Sequence, residues 1–98
     1  MSRRFQLAGD VFYDENIEGI FILTGAGEVY VLEDDVSKAV WHFITEKPRT
    51  VEEAQREIRG SFEISPDDTV DEDIRDFIST LEKLGVLEEC PNLTEVSS

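Results

Sequence analysis

Residues 19–32 constrain the fold most strongly, because they place two short β-rich runs on either side of a glycine-rich turn. The runs are Gly19–Thr24 and Glu28–Leu32, and Gly25-Ala26-Gly27 joins them. Glycine adopts positive φ at low cost, so a glycine-rich break between two such runs is typical of a β-hairpin. The sequence therefore predicts two adjacent antiparallel strands here, and Val11–Tyr13 is predicted to form a strand before them.

The last strand of this hairpin is apolar on both faces. Side chains alternate along a strand, so Tyr30 and Leu32 point to one face while Val29 and Val31 point to the other. An antiparallel strand with one face in water usually carries polar residues on that face. We therefore expect something to cover the second face.

Three helices are predicted after the strands, and their ends carry capping signals. The first begins at the acidic pair Asp34-Asp35 and ends at Pro48. The second and the third each open with a Thr followed three residues later by Glu, which is the pattern of a capping box. These pairs are Thr50 with Glu53 and Thr69 with Glu72, and the two helices end at Gly60 and Gly85.

Apolar residues at helical spacing predict the core. Trp41 lies about one position off the stripe of the first helix, which leaves it either at the core edge or on a recognition surface. The predicted core consists of Leu32, Val40, Phe43, Ile44, Ile58, Ile74, Phe77, Leu81 and Leu84.

The element order predicts an α+β domain of the winged helix-turn-helix type, with a three-stranded antiparallel sheet followed by three helices. We expect the domain to span 11–88, with an N-terminal arm at 1–10, loose or forming a short strand near Phe5, and a flexible tail at 89–98. A helix that reads DNA should be basic, yet residues 63–82 hold eight acids and one base, Arg75. The fold class is therefore expected without its usual DNA-binding function.

Charge restricts the partners further. The chain of 98 residues carries 23 acids against nine bases, for a formal net charge of −14. This balance disfavours nucleic acid and anionic membranes, since both are bound largely through Lys and Arg, and it favours a neutral or basic partner. Cys90 is the single cysteine and cannot form an internal disulfide, and no apolar segment follows Met1 as in a signal peptide. We expect a cytoplasmic protein.

No group of residues is equipped for catalysis, and no metal or cofactor is predicted. Asp14–Gly19 resembles the start of an EF-hand loop, but Gly25 stands where the closing bidentate Glu should be. The acids between residues 63 and 76 suit a helix entry and a solvated face. His42 lacks partners at metal or triad spacing. The sequence therefore favours a binding module over an enzyme.

Four segments in this order resemble the PqqD-like family. They are Val29-Tyr30-Val31-Leu32, the spacing Val36-x-x-x-Val40-Trp41-x-x-Ile44, Arg49-Thr50-Val51-Glu52-Glu53 and Leu81-Glu82-Lys83-Leu84-Gly85-Val86-Leu87. The resemblance covers roughly residues 11–88. It implies a peptide chaperone, or RiPP recognition element, of pathways that modify ribosomally made precursor peptides in natural product biosynthesis. Such a protein captures the leader segment as an added strand and presents it to a modifying enzyme, such as a radical, cyclase or protease maturation enzyme.

The resemblance also implies where the leader binds. The leader would pair with Glu28–Leu32 and lie in a groove walled by residues 71–83 of the third helix. Of the two flanks of that helix, Ile78 favours the one that carries Arg75 and Glu82, where Arg75 would place charge at the rim. The implied peptide-binding residues are Glu28, Val29, Tyr30, Val31, Leu32, Ile74, Arg75, Ile78 and Glu82.

Two alternatives stay open at this stage. The chain could be an acidic winged-helix protein–protein adaptor, or a regulator that acts on a DNA-binding partner without binding DNA itself. The bare edge of the sheet could also pair with a second copy and give a homodimer.

Overall fold

The computed structural model describes residues 3–65 and 68–90, which form six strands and three helices. All three of these helices follow the predicted hairpin in sequence, as expected. The elements are β1 (Arg4–Leu7), β2 (Phe12–Asn16), β3 (Gly19–Leu23), β4 (Val29–Leu32), α1 (Asp35–Glu46), β5 (Arg49–Thr50), α2 (Val51–Ser61), α3 (Val70–Lys83) and β6 (Leu87–Glu89).

The predicted three-stranded antiparallel sheet is present, with the order β2-β3-β4. Ile22, in the central strand, lies opposite Tyr13 on one side and Tyr30 on the other. The turn between β3 and β4 closes through the backbone N–H of Thr24, which donates to the carbonyl of Glu28 at 2.8 Å. Gly27 in this turn has φ of +88°, a conformation that glycine adopts readily. The prediction of an α+β domain with this sheet and three helices is confirmed.

A second sheet, which the sequence did not predict, joins the two ends of the described chain. Its order is β5-β1-β6, and Phe5 of β1 lies opposite Arg49 on one side and Glu89 on the other. Phe5 is buried, so the segment expected to be an arm contributes a strand to the fold. Strands β5 and β6 have two and three residues, which is too short for a recognisable alternation. Glu89, expected in the tail, ends β6, and residues 91–98 of that tail lie outside the described residues.

The helix caps follow the sequence in two helices of three. Asp34 caps α1 by accepting from the backbone N–H of Ser37 at 2.9 Å. Thr50 and Glu53 form the predicted capping box of α2, with bonds of 3.0 and 2.9 Å. Thr69 precedes α3 but makes no side-chain cap hydrogen bond, so the second predicted capping box is wrong. Its hydroxyl donates instead to Asp73 at 3.3 Å.

Glycine ends α3 but not α2. The backbone N–H of Gly85 donates to Glu82 and that of Val86 donates to Leu81, which together are the two bonds of a Schellman motif. Gly85 has the positive φ, +80°, that this motif requires. Gly60 lies inside α2, which continues to Ser61, so the predicted stop at Gly60 is one residue early.

The core lies between the inner face of the β2-β3-β4 sheet and the three helices. Six of the nine predicted core residues are buried: Leu32, Val40, Ile44, Ile58, Ile74 and Leu81. The other three, Phe43, Phe77 and Leu84, are only partly buried and pack against the core. Trp41 is fully buried, which resolves its two alternatives in favour of the core, and Ile78 is buried in the same core cluster.

Candidate functional site

Strand β4 has one free main-chain edge. Alternate residues of an antiparallel pair exchange hydrogen bonds, and the Thr24–Glu28 bond fixes which residues of β4 face β3. Counting along the register, Tyr30 bonds to Ile22 and Leu32 bonds to Ile20. The backbone N–H and C=O groups of Val29 and Val31 therefore point away from β3.

The position of Gly19 agrees with this assignment. A Cβ atom built on Gly19 would lie 2.5 Å from the carbonyl oxygen of Leu32, so that carbonyl faces β3. In the part of the chain that the structure describes, β4 pairs with β3 alone. The free edge thus offers two donors and two acceptors to an extended peptide.

The side chains of β4 separate into an inner and an outer set. Leu32 is buried and Tyr30 is half-buried against the core, while Glu28 is exposed. Val29 and Val31 lie on the outer face with 64% and 36% exposure. A peptide that pairs with β4 therefore contacts its main chain first, and the inner side chains of Tyr30 and Leu32 hold the strand against the core.

A groove begins where β4 ends. It has a volume of about 260 Å³ and lies between the start of α1 and the first half of α3. Its apolar lining comes from Val36, Val40, Ile64, Val70, Ile74 and Phe77. Its polar lining comes from Asp34, Ser37, Asp68 and Asp73. An apolar floor below several carboxylates suits an apolar peptide side chain, with polar or basic groups favoured at the mouth.

The carboxylate of Asp34 is held ionised at this mouth. Partial burial raises the pKa of Asp34, but hydrogen bonds from Ser37 and the nearby Lys38 ammonium outweigh it, so the net pKa is lowered. The same carboxylate is the cap of α1. The charge at this end of the groove is therefore fixed by the residue that starts the helix.

The flank of α3 that lines the groove is not the one that the sequence favoured. Val70, Asp73 and Phe77 line it, together with Ile74. Glu82 lies on the other flank, 3.7 Å from the guanidinium of Arg3 in the N-terminal segment. The side chain of Ile78 is buried in the core, so it does not indicate which flank of α3 faces a peptide, and the peptide-binding flank stays a prediction.

The neighbours of Asp71 show what the other flank contacts. Its carboxylate accepts from Arg59 of α2 at 3.0 Å, and its carbonyl accepts from Gln55 at 2.9 Å. At 100° per residue, Arg75 follows Asp71 on this α2-facing side, far round the helix from Asp73. Of the predicted site residues on α3, Ile74 lines the groove, whereas Arg75, Ile78 and Glu82 do not.

Sequence reasoning missed several groove residues. Val36, Ser37, Ile64 and Asp68 line the groove but were not predicted as site residues. Phe77 was predicted as core, because helical spacing cannot separate a buried position from one at the margin of a groove. The signal that could have found Ser37 was Asp34, since a capping carboxylate accepts from a backbone N–H within three residues.

Among the described residues, the groove lining contains no His, Cys or Lys. The imidazole of His42 lies 3.1 Å from the carboxylate of Glu15, and both groups are exposed, so the pair links α1 to β2. Within residues 3–65 and 68–90, no three His, Cys, Asp or Glu side chains are grouped to hold a metal ion. None of the helices in those ranges has the length and apolarity needed to cross a bilayer.

Comparisons with known proteins agree with the fold. One solved structure, TbiB1 in complex with the TbiA(beta) leader peptide, has a TM-score of 0.73 and 22% sequence identity, covering 89% of this chain and 99% of that one. Another, lasso peptide synthetase B1 complexed with the leader peptide, has a TM-score of 0.70 and 18% identity, covering 86% and 96%. Among curated proteins, none matches this chain.

The family assignment rests on a match that spans most of the described fold. Residues 17–87 match the family described as coenzyme PQQ synthesis protein D, or PqqD. The matched range begins at the β2–β3 turn and ends at the first residue of β6, so it includes β4, the groove and all three helices. The chain therefore belongs to the PqqD family.

Proposed function

We propose that this protein binds the leader segment of a precursor peptide as a strand along the free edge of β4 and presents it to a modifying enzyme. It contributes no catalytic group of its own. The observation that carries the proposal is the free main-chain edge at Val29 and Val31, on a strand that ends two residues before Asp34 of the groove lining. The two solved structures with this fold, each in complex with a leader peptide, support it.

Main-chain pairing would supply much of the affinity. A peptide strand could satisfy the two N–H and two C=O groups that β4 leaves free, at roughly 0.5–1.5 kcal/mol net for each hydrogen bond. Such bonds form with almost any extended peptide, so they select little. A second part of the site must therefore select the sequence of the leader peptide.

The groove would supply that selection. Phe77 and Val36 are partly buried and form part of its apolar lining, so an apolar leader side chain can be inserted there. Asp34, Asp68 and Asp73 at the mouth disfavour an acidic side chain next to the inserted one. The leader is thus expected to carry an apolar anchor with neutral or basic neighbours.

The absence of a catalytic role is part of the proposal. His42 and Glu15 are exposed and lie at the side of the molecule, where β2 meets α1. Chemistry on the precursor would then require the partner enzyme. Incubating the protein with the precursor alone should leave the mass of the peptide unchanged.

The decisive experiment is a titration of the ¹⁵N-labelled protein with the cognate leader peptide. We expect amide shifts in residues 29–33 of the free edge and in residues 34–37 and 70–77 around the groove. A scrambled peptide of the same composition is the control and should shift neither region. Shifts confined to α2 and the β2–β3 turn would show that strand addition at β4 is the wrong mechanism.

A further inference from the structure

The outer face of the β2-β3-β4 sheet carries an exposed apolar surface that extends across all three strands, beyond the free edge of β4. The register places Phe12, Leu23 and Val29 in one row across the three strands. Their exposed fractions are 70%, 43% and 64%. Residues directly opposite each other in such rows are neighbours, so the three side chains form one continuous patch.

A second row extends this patch and ends in an acid. Phe21 lies between Asp14 and Val31, and its side chain is only half-buried. A shallow depression of about 290 Å³ opens between the rows, lined mainly by the aromatic and aliphatic side chains. We call the surface formed by Phe12, Phe21, Leu23, Val29 and Val31 the outer face.

Several apolar side chains side by side in water mark a contact surface rather than a stable exterior. Isolated exposed apolar residues are common, but adjoining ones usually face a partner. Strands β3 and β4 also have an inner face that holds the core through Ile20, Ile22 and Leu32. The fold therefore does not need the outer residues to be apolar.

The segment that forms the β2-β3-β4 sheet carries charge of one sign. Residues 5–37, which include the whole sheet and its turns, contain eight acids and no Lys, Arg or His. The acids are Asp10, Asp14, Glu15, Glu18, Glu28, Glu33, Asp34 and Asp35. A partner that buries this face gains most if it brings cations to the acidic rim.

We propose that the outer face is a docking surface for a protein whose contact area has an apolar centre and a rim of Lys or Arg. Three of its five residues, Phe12, Phe21 and Leu23, lie on β2 and β3, away from the free edge of β4, so a peptide strand on β4 and a protein on the outer face can bind at once. Docking on the outer face therefore does not depend on leader capture.

Charge also disfavours the other molecules that could cover the outer face. A second copy would bring eight further acids against the first eight, with no base in either segment. An anionic membrane would be repelled for the same reason. The C-terminal residues 91–98 carry one acid, Glu95, and no base, so they offer no cation either.

A photo-crosslinking amino acid placed at Phe12 in the full chain tests the proposal in the cells that make it. The matched control carries the same group at Arg56, an exposed position on α2. A protein captured from Phe12 but not from Arg56 is identified by mass spectrometry, purified, and titrated against the wild-type chain. We expect its affinity to fall as salt is raised.

Two substitutions then separate the outer face from the leader site. Phe12→Ser with Leu23→Thr should weaken binding of the captured protein about tenfold or more. Asp14→Lys should also weaken this binding, because it places a positive charge where the partner brings cations. The Phe12/Leu23 variant should bind the leader peptide as tightly as wild type and melt at a similar temperature. Crosslinking to a second copy, capture of no protein at Phe12, equal capture at both positions, or unchanged affinity of the double variant would overturn the proposal.

Discussion

The phenol ring of Tyr13 meets the indole of Trp41 edge to face, with centroids 5.2 Å apart and an interplanar angle of 82°. Tyr13 belongs to β2 and Trp41 to α1, so this pair joins the sheet to the first helix. Trp41 is fully buried, and its Nε1 has no hydrogen-bond partner among the described residues. Aromatic packing, rather than a polar contact, therefore holds the indole.

Replacing Tyr13 by Leu should lower the free energy of unfolding by about 0.5–1.5 kcal/mol beyond the loss of buried area, because the edge-to-face contact is lost. Phe12→Leu is the matched control, since Phe12 is next in sequence but points to the outer face. The control should change stability by less than about 0.5 kcal/mol. Equal losses in urea melts of both variants would contradict the role of the pair.

Val31→Pro should reduce leader binding at least tenfold while the domain stays folded. Proline removes the N–H that points to the free edge, and that N–H takes no part in the β3–β4 ladder. Val31→Thr keeps the N–H and the branched shape, so it should bind as wild type. Tyr30→Pro removes a ladder donor and should unfold the hairpin. Calorimetric titration with circular dichroism distinguishes these results, and tight binding by Val31→Pro would exclude strand addition.

Leu81 and Phe77 were both predicted as core residues, but their substitution by Ala should affect stability and leader binding differently. Leu81 is fully buried, so Leu81→Ala should cost about 2–5 kcal/mol of stability. Phe77 lines the groove and is partly exposed, so Phe77→Ala should cost less and should weaken leader binding more. Arg75→Glu, on the opposite flank of α3, is the control and should leave binding unchanged. A larger loss of binding for Arg75→Glu than for Phe77→Ala would restore the flank that the sequence favoured.

Glu53 should make stability depend on pH in a defined direction. The carboxylate of Glu53 accepts a hydrogen bond from the backbone N–H of Thr50. This bond and the nearby Arg4 hold the pKa of Glu53 below its ordinary value of 4.5. The ionised form is thus favoured by folding, so its contribution is present at neutral pH and is lost as the pH falls through the folded-state pKa.

Glu53→Gln isolates this contribution, because Gln can still accept the Thr50 hydrogen bond but carries no charge. We expect the wild type to be more stable than the variant at neutral pH and the difference to shrink on acidification. Urea melts across this range measure the difference. A difference that stays constant with pH would show that the charge of Glu53 contributes nothing.

Duplex DNA should not bind at physiological salt. Residues 63–82, which include most of α3, have a net charge of −7 from eight acids and Arg75. A recognition helix of this charge is repelled by phosphates. Fluorescence anisotropy should detect no binding, and submicromolar, salt-sensitive affinity would contradict this prediction.

The sequence by itself determined the elements whose signals are local. Alternation and a glycine turn specify the β3–β4 hairpin, and side-chain caps within three residues specify the starts of α1 and α2. Helical spacing specified most of the core, because a buried stripe repeats along a helix whatever it packs against. The free edge at Val29 and Val31 could also be predicted from the sequence, because the order of the strands along the chain places β4 at the edge of the sheet.

Only the tertiary structure decided which surfaces meet. The second sheet pairs Phe5 with Arg49 and Glu89, which are far apart in sequence, and strands of two or three residues carry no period of their own. The flank of α3 that faces the groove depends on how the helix is rotated against α1 and α2. The two margins of the apolar stripe on α3 look alike in sequence. Only packing determines that Ile78 is buried in the core while Phe77 lines the groove.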